Sequence, residues 1–191
     1  MEYAAIEELH TPCLKLRKLT AEDAPVYYDR LGSSCAVSKY MLWNPHTSPS
    51  ESEEWIQSIL QRYTSGKCYY WGIAKKDTDD LIGAITLLRF DESTSCCSFA
   101  YMLAESCWGQ GYGTEALTAV IDFGFSRLKL DTIIADHMVE NIASGKVMQK
   151  AGMQFQSFLP GKHQKNGILY DAMQYCITRD DWLKQTKQHQ K

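Results

Sequence analysis

The sequence predicts a mixed α/β fold on a mostly antiparallel sheet, and three features carry that expectation. Apolar strand-like runs with polar turns fill residues 69–104 and 153–177, stripes of period 3.6 lie between and before them, and a glycine-rich turn joins one strand directly to one helix. Element by element, residues 13–19 read as a strand, and Thr20 is suited to cap a helix beginning Ala21-Glu22-Asp23. An irregular helical stretch follows over 35–42. Ser50 then precedes acidic Glu51 and Glu53, and Trp55, Ile56, Ile59, Leu60 and Tyr63 recur at helical spacing. Residues 69–75 and 81–90 flank the polar turn 76–80 as a hairpin, and 95–104 add a third strand. Ala116, Leu117, Val120, Ile121, Gly124 and Phe125 mark a helix behind the glycine turn. A strand over 130–138, a helix over 141–151 ended by Gly152, and closing strands 153–159 and 169–177 complete the order. Residues 184–191 read as a fraying end.

Composition bounds the function. The chain has 191 residues, 45% of them apolar, which suffices for one large core without disulfides or metal and is too apolar for disorder. We expect a single domain over 1–191 with its core at about 13–182. Twenty Lys plus Arg against 23 Asp plus Glu give a net charge of -3, so phosphate-backbone binding of nucleic acid is not the expected business. No run is long and apolar enough to span or anchor in a membrane, and the start shows no signal-peptide pattern. Seven cysteines, an odd number without paired C-x-x-C spacing, read as reduced thiols of a cytoplasmic protein, with no zinc site. Totals leave monomer and homodimer equally open.

The segment Trp108-Gly109-Gln110-Gly111-Tyr112-Gly113-Thr114 carries the clearest chemistry. Alternate glycines let backbone approach a ligand, and free N–H groups at a helix start attract anions. A phosphate fits such a turn; a plain structural turn fits it too. A P-loop would need Lys before Thr114, and a dinucleotide-binding unit would need different glycine spacing near the first strand.

About thirty residues on come Asp136-His137-Met138-Val139-Glu140-Asn141-Ile142-Ala143-Ser144 and Lys150-Ala151-Gly152-Met153. With the glycine turn, this order resembles the GNAT superfamily of acetyl-CoA-dependent N-acetyltransferases. The stretches 14–23, 38–46 (Ser38-Lys39-Tyr40-Met41-Leu42-Trp43-Asn44-Pro45-His46), 108–117 and Asn141-Ile142-Ala143-Ser144 are similar to its RimJ/RimL branch, the ribosomal-protein N-terminal acetyltransferases and their relatives. The resemblance implies a GNAT fold in which two splayed strands hold acetyl-CoA. The pyrophosphate would meet backbone N–H groups of Trp108 to Thr114, and the pantetheine arm would lie along Tyr101, Met102 and Leu103. Asn141 would reach that arm or simply cap a helix, and Lys146 would meet a phosphate or remain an exposed lysine.

Acetyl transfer needs a neutral amine, a polarised thioester and a proton for the departing thiolate. Where many relatives carry a Glu base this chain has Ser98, and where many carry a tyrosine acid it has Met148. Ser144 matches a serine that serves the leaving sulfur. His163 and His137 are the candidate bases, with Asp136 as a carboxylate alternative. Tyr40, Trp43, His46, Trp71, Phe99 and Tyr170 are candidate acceptor-site residues, each also suited to a core. An α-amine of pKa about 7.8 is roughly 30% neutral at pH 7.4, a lysine only about 0.1%, so an N-terminal amine needs the weaker base. The expected acceptor is a primary amine, with the N-terminus of a ribosomal protein as the sharper expectation; a small-molecule amine, or a non-catalytic acyl-CoA-binding module, are the alternatives.

Overall fold

Strand β3 (Tyr69–Lys75) shows how the layers arise. Its successive side chains point to opposite faces: Trp71 meets Phe123 of helix α4 (Tyr112–Ser126) at 5.3 Å between ring centroids, while Tyr70 meets Trp55 of α3 (Pro49–Tyr63) at 6.3 Å. The two helices therefore cover opposite faces of one sheet. A computed structural model describes residues 4–65 and 68–188. Its eight strands run in the order β1-β2-β3-β4-β5-β6-β8-β7. Besides β3 they are β1 (Leu9–His10), β2 (Leu14–Arg17), β4 (Leu81–Asp91), β5 (Cys96–Leu103), β6 (Thr132–Met138), β7 (Gln154–Lys165) and β8 (Ile168–Thr178). Only β5 and β6 pair in parallel; all other neighbours are antiparallel.

The expected elements are present, with shifts that have local causes. Thr20 and Asp23 form a capping box over a short 3-10 turn, which continues into α1 (Ala24–Tyr27) and a single π-helical turn at Tyr28–Gly32. Asp23 also receives two 2.8 Å bonds from the Arg17 guanidinium, tying β2 to the helix entry. The irregular stretch shortens to α2 (Cys35–Ser38), capped by Ser34. Helix α3 begins at Pro49, a residue whose fixed φ suits a first helical turn. In α4, Gly124 lies against β6 so closely that a Cβ would sit 2.8 Å from Ile133 Cδ1. Helix α5 (Ile142–Lys150) ends before Gly152, whose φ is +86°.

The closing strands differ most from expectation. They extend into one long hairpin, and part of the supposed fraying end belongs to helix α6 (Arg179–Gln188), held by Trp182 against Phe125 and by its indole N–H on Asp122. Residues 189–191 lie outside the described residues. At the hairpin tip Lys165 donates to the Ser38 carbonyl at 2.7 Å, and the Asn166 and Asn44 side-chain amides pair at 3.0 and 3.1 Å. The tip thus rests on the front helices across the sheet face.

Candidate active site

The site is a failure of strand pairing. β5 and β6 pair at Cys96–Thr132, Cys97–Ile133 and Ser98–Ile134, and beyond Ser98 the register ends. Residues Phe99 to Leu103 keep their bonds to β4 on one side only. The wedge opens into a cavity of about 490 Å³ lined by residues from β4, β5, β6, both flanking helices α4 and α5, the glycine turn and the front helices.

At one end lies the cradle. Gly109 and Gly111 have φ of +73° and +88°, and a Cβ on either would meet nothing within 4 Å. The left-handed backbone aims the turn into open space at the start of α4, where N–H groups lack helical partners. Acetyl-CoA, implied by the family resemblance, fits this arrangement: an open anion cradle, an unpaired strand edge and a cavity connecting them. Trp108, Gly109, Gly111, Tyr112, Gly113, Thr114, Tyr101, Met102, Leu103, Asn141, Ser144 and Lys146 all line the cavity. Gln110 does not; it donates to the Ser106 carbonyl at 2.8 Å. The Leu103 carbonyl already accepts the Trp108 indole N–H at 2.8 Å, leaving Tyr101 and Met102 as the freer stretch. Asn141 caps α5 by accepting the Ser144 N–H at 3.3 Å, and its amide nitrogen makes no bond among the described residues. Cap and ligand contact are therefore compatible.

Strand parity sorts the catalytic candidates. Ser98 is paired with Ile134, so Ser98, Ile134 and Asp136 face one side, and Tyr101 and His137 the other. On the α5 side the Tyr101 hydroxyl donates to Ser144 Oγ at 3.4 Å. Burial pushes the Tyr101 phenol above its ordinary value, against a smaller opposing effect of that bond, so it keeps its proton. His137 is buried there, donating Nδ1–H to the Met138 carbonyl at 2.7 Å and stacking on Tyr175. Its Nε2 has no partner among the described residues and lies 2.6 Å from where a Gly145 Cβ would sit. His137 also lines the cavity, on the α5 side.

On the other side, His163 Nε2 donates to Asp136 Oδ1 in a very short contact. Both side chains are almost enclosed, at 13% and 14% exposure, and both line the cavity. The pairing depends on β7: its register with β8 slips between Leu159 and His163, with Gly161 at φ +57° and its N–H on Asp171, so the hairpin bends over the sheet. Ser98, in the place of the familiar Glu, turns its hydroxyl to the Leu88 carbonyl at 3.3 Å and offers no base. A carboxylate stands on the same face all the same, supplied by the next strand.

Tyr40 and Phe99 line the cavity as expected of acceptor-site residues. Four others do not. Trp71 is fully buried beneath α4 with its indole N–H on the Glu7 carbonyl. Trp43 packs on His46, His46 bonds Ser52 Oγ at 2.7 Å, and Tyr170 pairs with His163 in the hairpin without reaching the cavity wall. The parity of β3 turns Trp71 under α4, Trp43 and His46 pack on each other in the segment before α3, and Tyr170 is placed opposite His163 in the hairpin. Asp136 as the partner of His163, and the Tyr101 hydroxyl, escaped the sequence reading, because only the splay reveals which neighbours they acquire.

Residues 14–154 match the model of the Acetyltransferase (GNAT) domain. The chain is 30% identical to the uncharacterized N-acetyltransferase p20 of Bacillus licheniformis, over 93% of this chain and 99% of that one. It is 24% identical to the [ribosomal protein uS5]-alanine N-acetyltransferase of Escherichia coli, covering 80% and 83%. Among solved structures, a GNAT-family acetyltransferase from Bacillus anthracis superposes with a TM-score of 0.81 at 20% identity, covering 91% of this chain and 99% of that one.

Proposed function

The chain belongs to the GNAT acetyltransferase family, and from that premise we propose that it acetylates an N-terminal α-amine, with His163 as the general base. It is an N-acetyltransferase that uses acetyl-CoA to acetylate amines. The observation that carries the finer reading is the Asp136–His163 pair, nearly enclosed, on the sheet face where Ser98 leaves the usual carboxylate missing. An imidazole is a modest base, sufficient for an amine already partly neutral near pH 7. The relative that acts on a ribosomal-protein alanine supports the same class of acceptor.

Acetyl-CoA supplies an acyl group on a thioester whose sulfur can leave. His163, held through Nε2 by Asp136, takes the proton shed by the attacking amine on Nδ1, directly or through one water. Ser144, backed by the Tyr101 phenol, holds a proton for the departing sulfur on the opposite face. Acid and base thus lie on opposite sides of the sheet, joined only through the wedge. Tyr40, which lines the cavity from the front helices, excludes water around the amine.

Free-thiol release from acetyl-CoA, measured with a peptide bearing only an α-amine, a peptide bearing only a lysine amine, and spermidine, tests the reading. The α-amine peptide should give the highest kcat/KM. Preference for the lysine peptide would refute it.

A further inference from the structure

The cavity has a polarity that bears on what else the acceptor carries. β5 runs from Cys96 toward the glycine cradle, so Leu88, Arg89 and Ser98 lie at the opposite, acceptor end. Arg89 is the unusual member. The β4–β5 register slips between Leu88 and Asp91, and Arg89 sits in this bulge with φ +53°, a conformation unfavourable for a residue with a Cβ. Its guanidinium makes no hydrogen bond or ion pair among the described residues, yet it lines the cavity. Arg89 is exposed at the mouth of the cavity, and a strained backbone there, carrying a charge that no described protein group neutralises, is a mark of a binding role.

The remaining charges favour an anion. Asp136 is the one carboxylate among the described residues lining the cavity, and it is committed to His163. The other cations lining the cavity, Lys146 and Lys150, come from α5. A polyamine would bring further positive charge here with no free carboxylate to receive it. A carboxylate on the acceptor would meet a planar guanidinium able to bind it through two N–H groups. The same cation favours the neutral, nucleophilic form of the nearby amine.

We propose that Arg89 is a specificity-determining residue that binds a carboxylate carried by the acceptor close to its reacting amine. The inference rests on the acetyl-transfer reading above and narrows its substrate class to amines with a neighbouring carboxylate. That group has two sources, an Asp or Glu side chain near a peptide N-terminus, or the carboxylate of a free amino acid. Two matched pairs separate them: C-terminally amidated Ala-Asp and Ala-Asn peptides, and alanine against alaninamide.

Steady-state thiol release on these four acceptors and on spermidine is the test. The carboxylate-bearing member of at least one pair should have the higher kcat/KM, on the order of tenfold and expressed mainly in KM. Arg89→Gln should collapse that ratio to near unity, and Arg89→Lys should restore part of it. Equal rates within both pairs, a ratio that survives Arg89→Gln, or spermidine as the best acceptor would overturn the proposal. Turnover confined to neutral amines would overturn it while leaving the acetyl-transfer reading intact; no thiol release with any amine, despite acetyl-CoA binding by calorimetry, would bring down both.

Discussion

Replacing Asp136 by Asn isolates what the carboxylate does, because the variant keeps the shape of the pair and removes its charge. In the native chain His163 Nε2 donates to Asp136 with both side chains almost enclosed, so solvent does little to screen the interaction. A hydrogen bond to a charged group is worth about 1.5–3 kcal/mol, and the amide can turn its NH2 toward Nε2, forcing the imidazole into the tautomer that has no free lone pair on Nδ1. If that energy is expressed in the transition state, kcat falls about 10- to 150-fold. Thiol release with an α-amine peptide at pH 7 reads this directly, with acetyl-CoA KM and the thermal midpoint as controls for folding. The deficit should shrink by pH 9.5, where an amine of pKa about 7.8 is roughly 98% neutral and needs no base. Rates within twofold of native for both Asp136→Asn and His163→Ala at pH 7 would refute the base assignment.

Ser144→Ala and Tyr101→Phe should each lower kcat about tenfold, and the double variant should be no slower than either, since the two hydroxyls act as one unit; additive losses would separate them. Gly111→Ala should cost about 1–2 kcal/mol through its left-handed backbone and weaken acetyl-CoA binding in calorimetry, because the added methyl enters the cradle; unchanged affinity would argue against a phosphate there. The Asp79 carboxyl is held below its usual value of 3.8 chiefly by Lys15, with Arg17 assisting, so its stabilisation is present above that value and fades as the pH falls. Asp79→Asn should therefore lower the thermal midpoint slightly at pH 7 and by less near pH 3; a loss of equal size at both pH values would contradict the ion-pair account.

Parts of the molecule whose chemistry is local in sequence were legible from the residues alone. The cradle is written in alternate glycines of one short segment and acts through backbone, so no long-range partner was needed to find it. Helix α4 and strand β3 announced themselves by their periodicity. The proposed base was only half visible, because Asp136 and His163 come from different strands and meet through a bend at Gly161 that pattern alone does not locate. His137, one residue from Asp136, faces the other side of the sheet, and no composition argument chooses between such neighbours. Trp71 shows the converse: an aromatic beside the expected site proved to be core, because the parity of β3 turns it under α4. Helix α6 escaped notice because its apolar anchoring rests largely on Trp182.

The central claim is that this GNAT-family chain acetylates an α-amine with an imidazole–carboxylate base. A single peptide carrying a free N-terminus and one lysine, incubated with acetyl-CoA and mapped by fragmentation mass spectrometry, tests it most directly when native and His163→Ala proteins are run side by side at pH 7. The account predicts acetyl at the N-terminus, formed much more slowly by His163→Ala. Acetyl on the lysine side chain, or equal N-terminal rates for the two proteins, would contradict it.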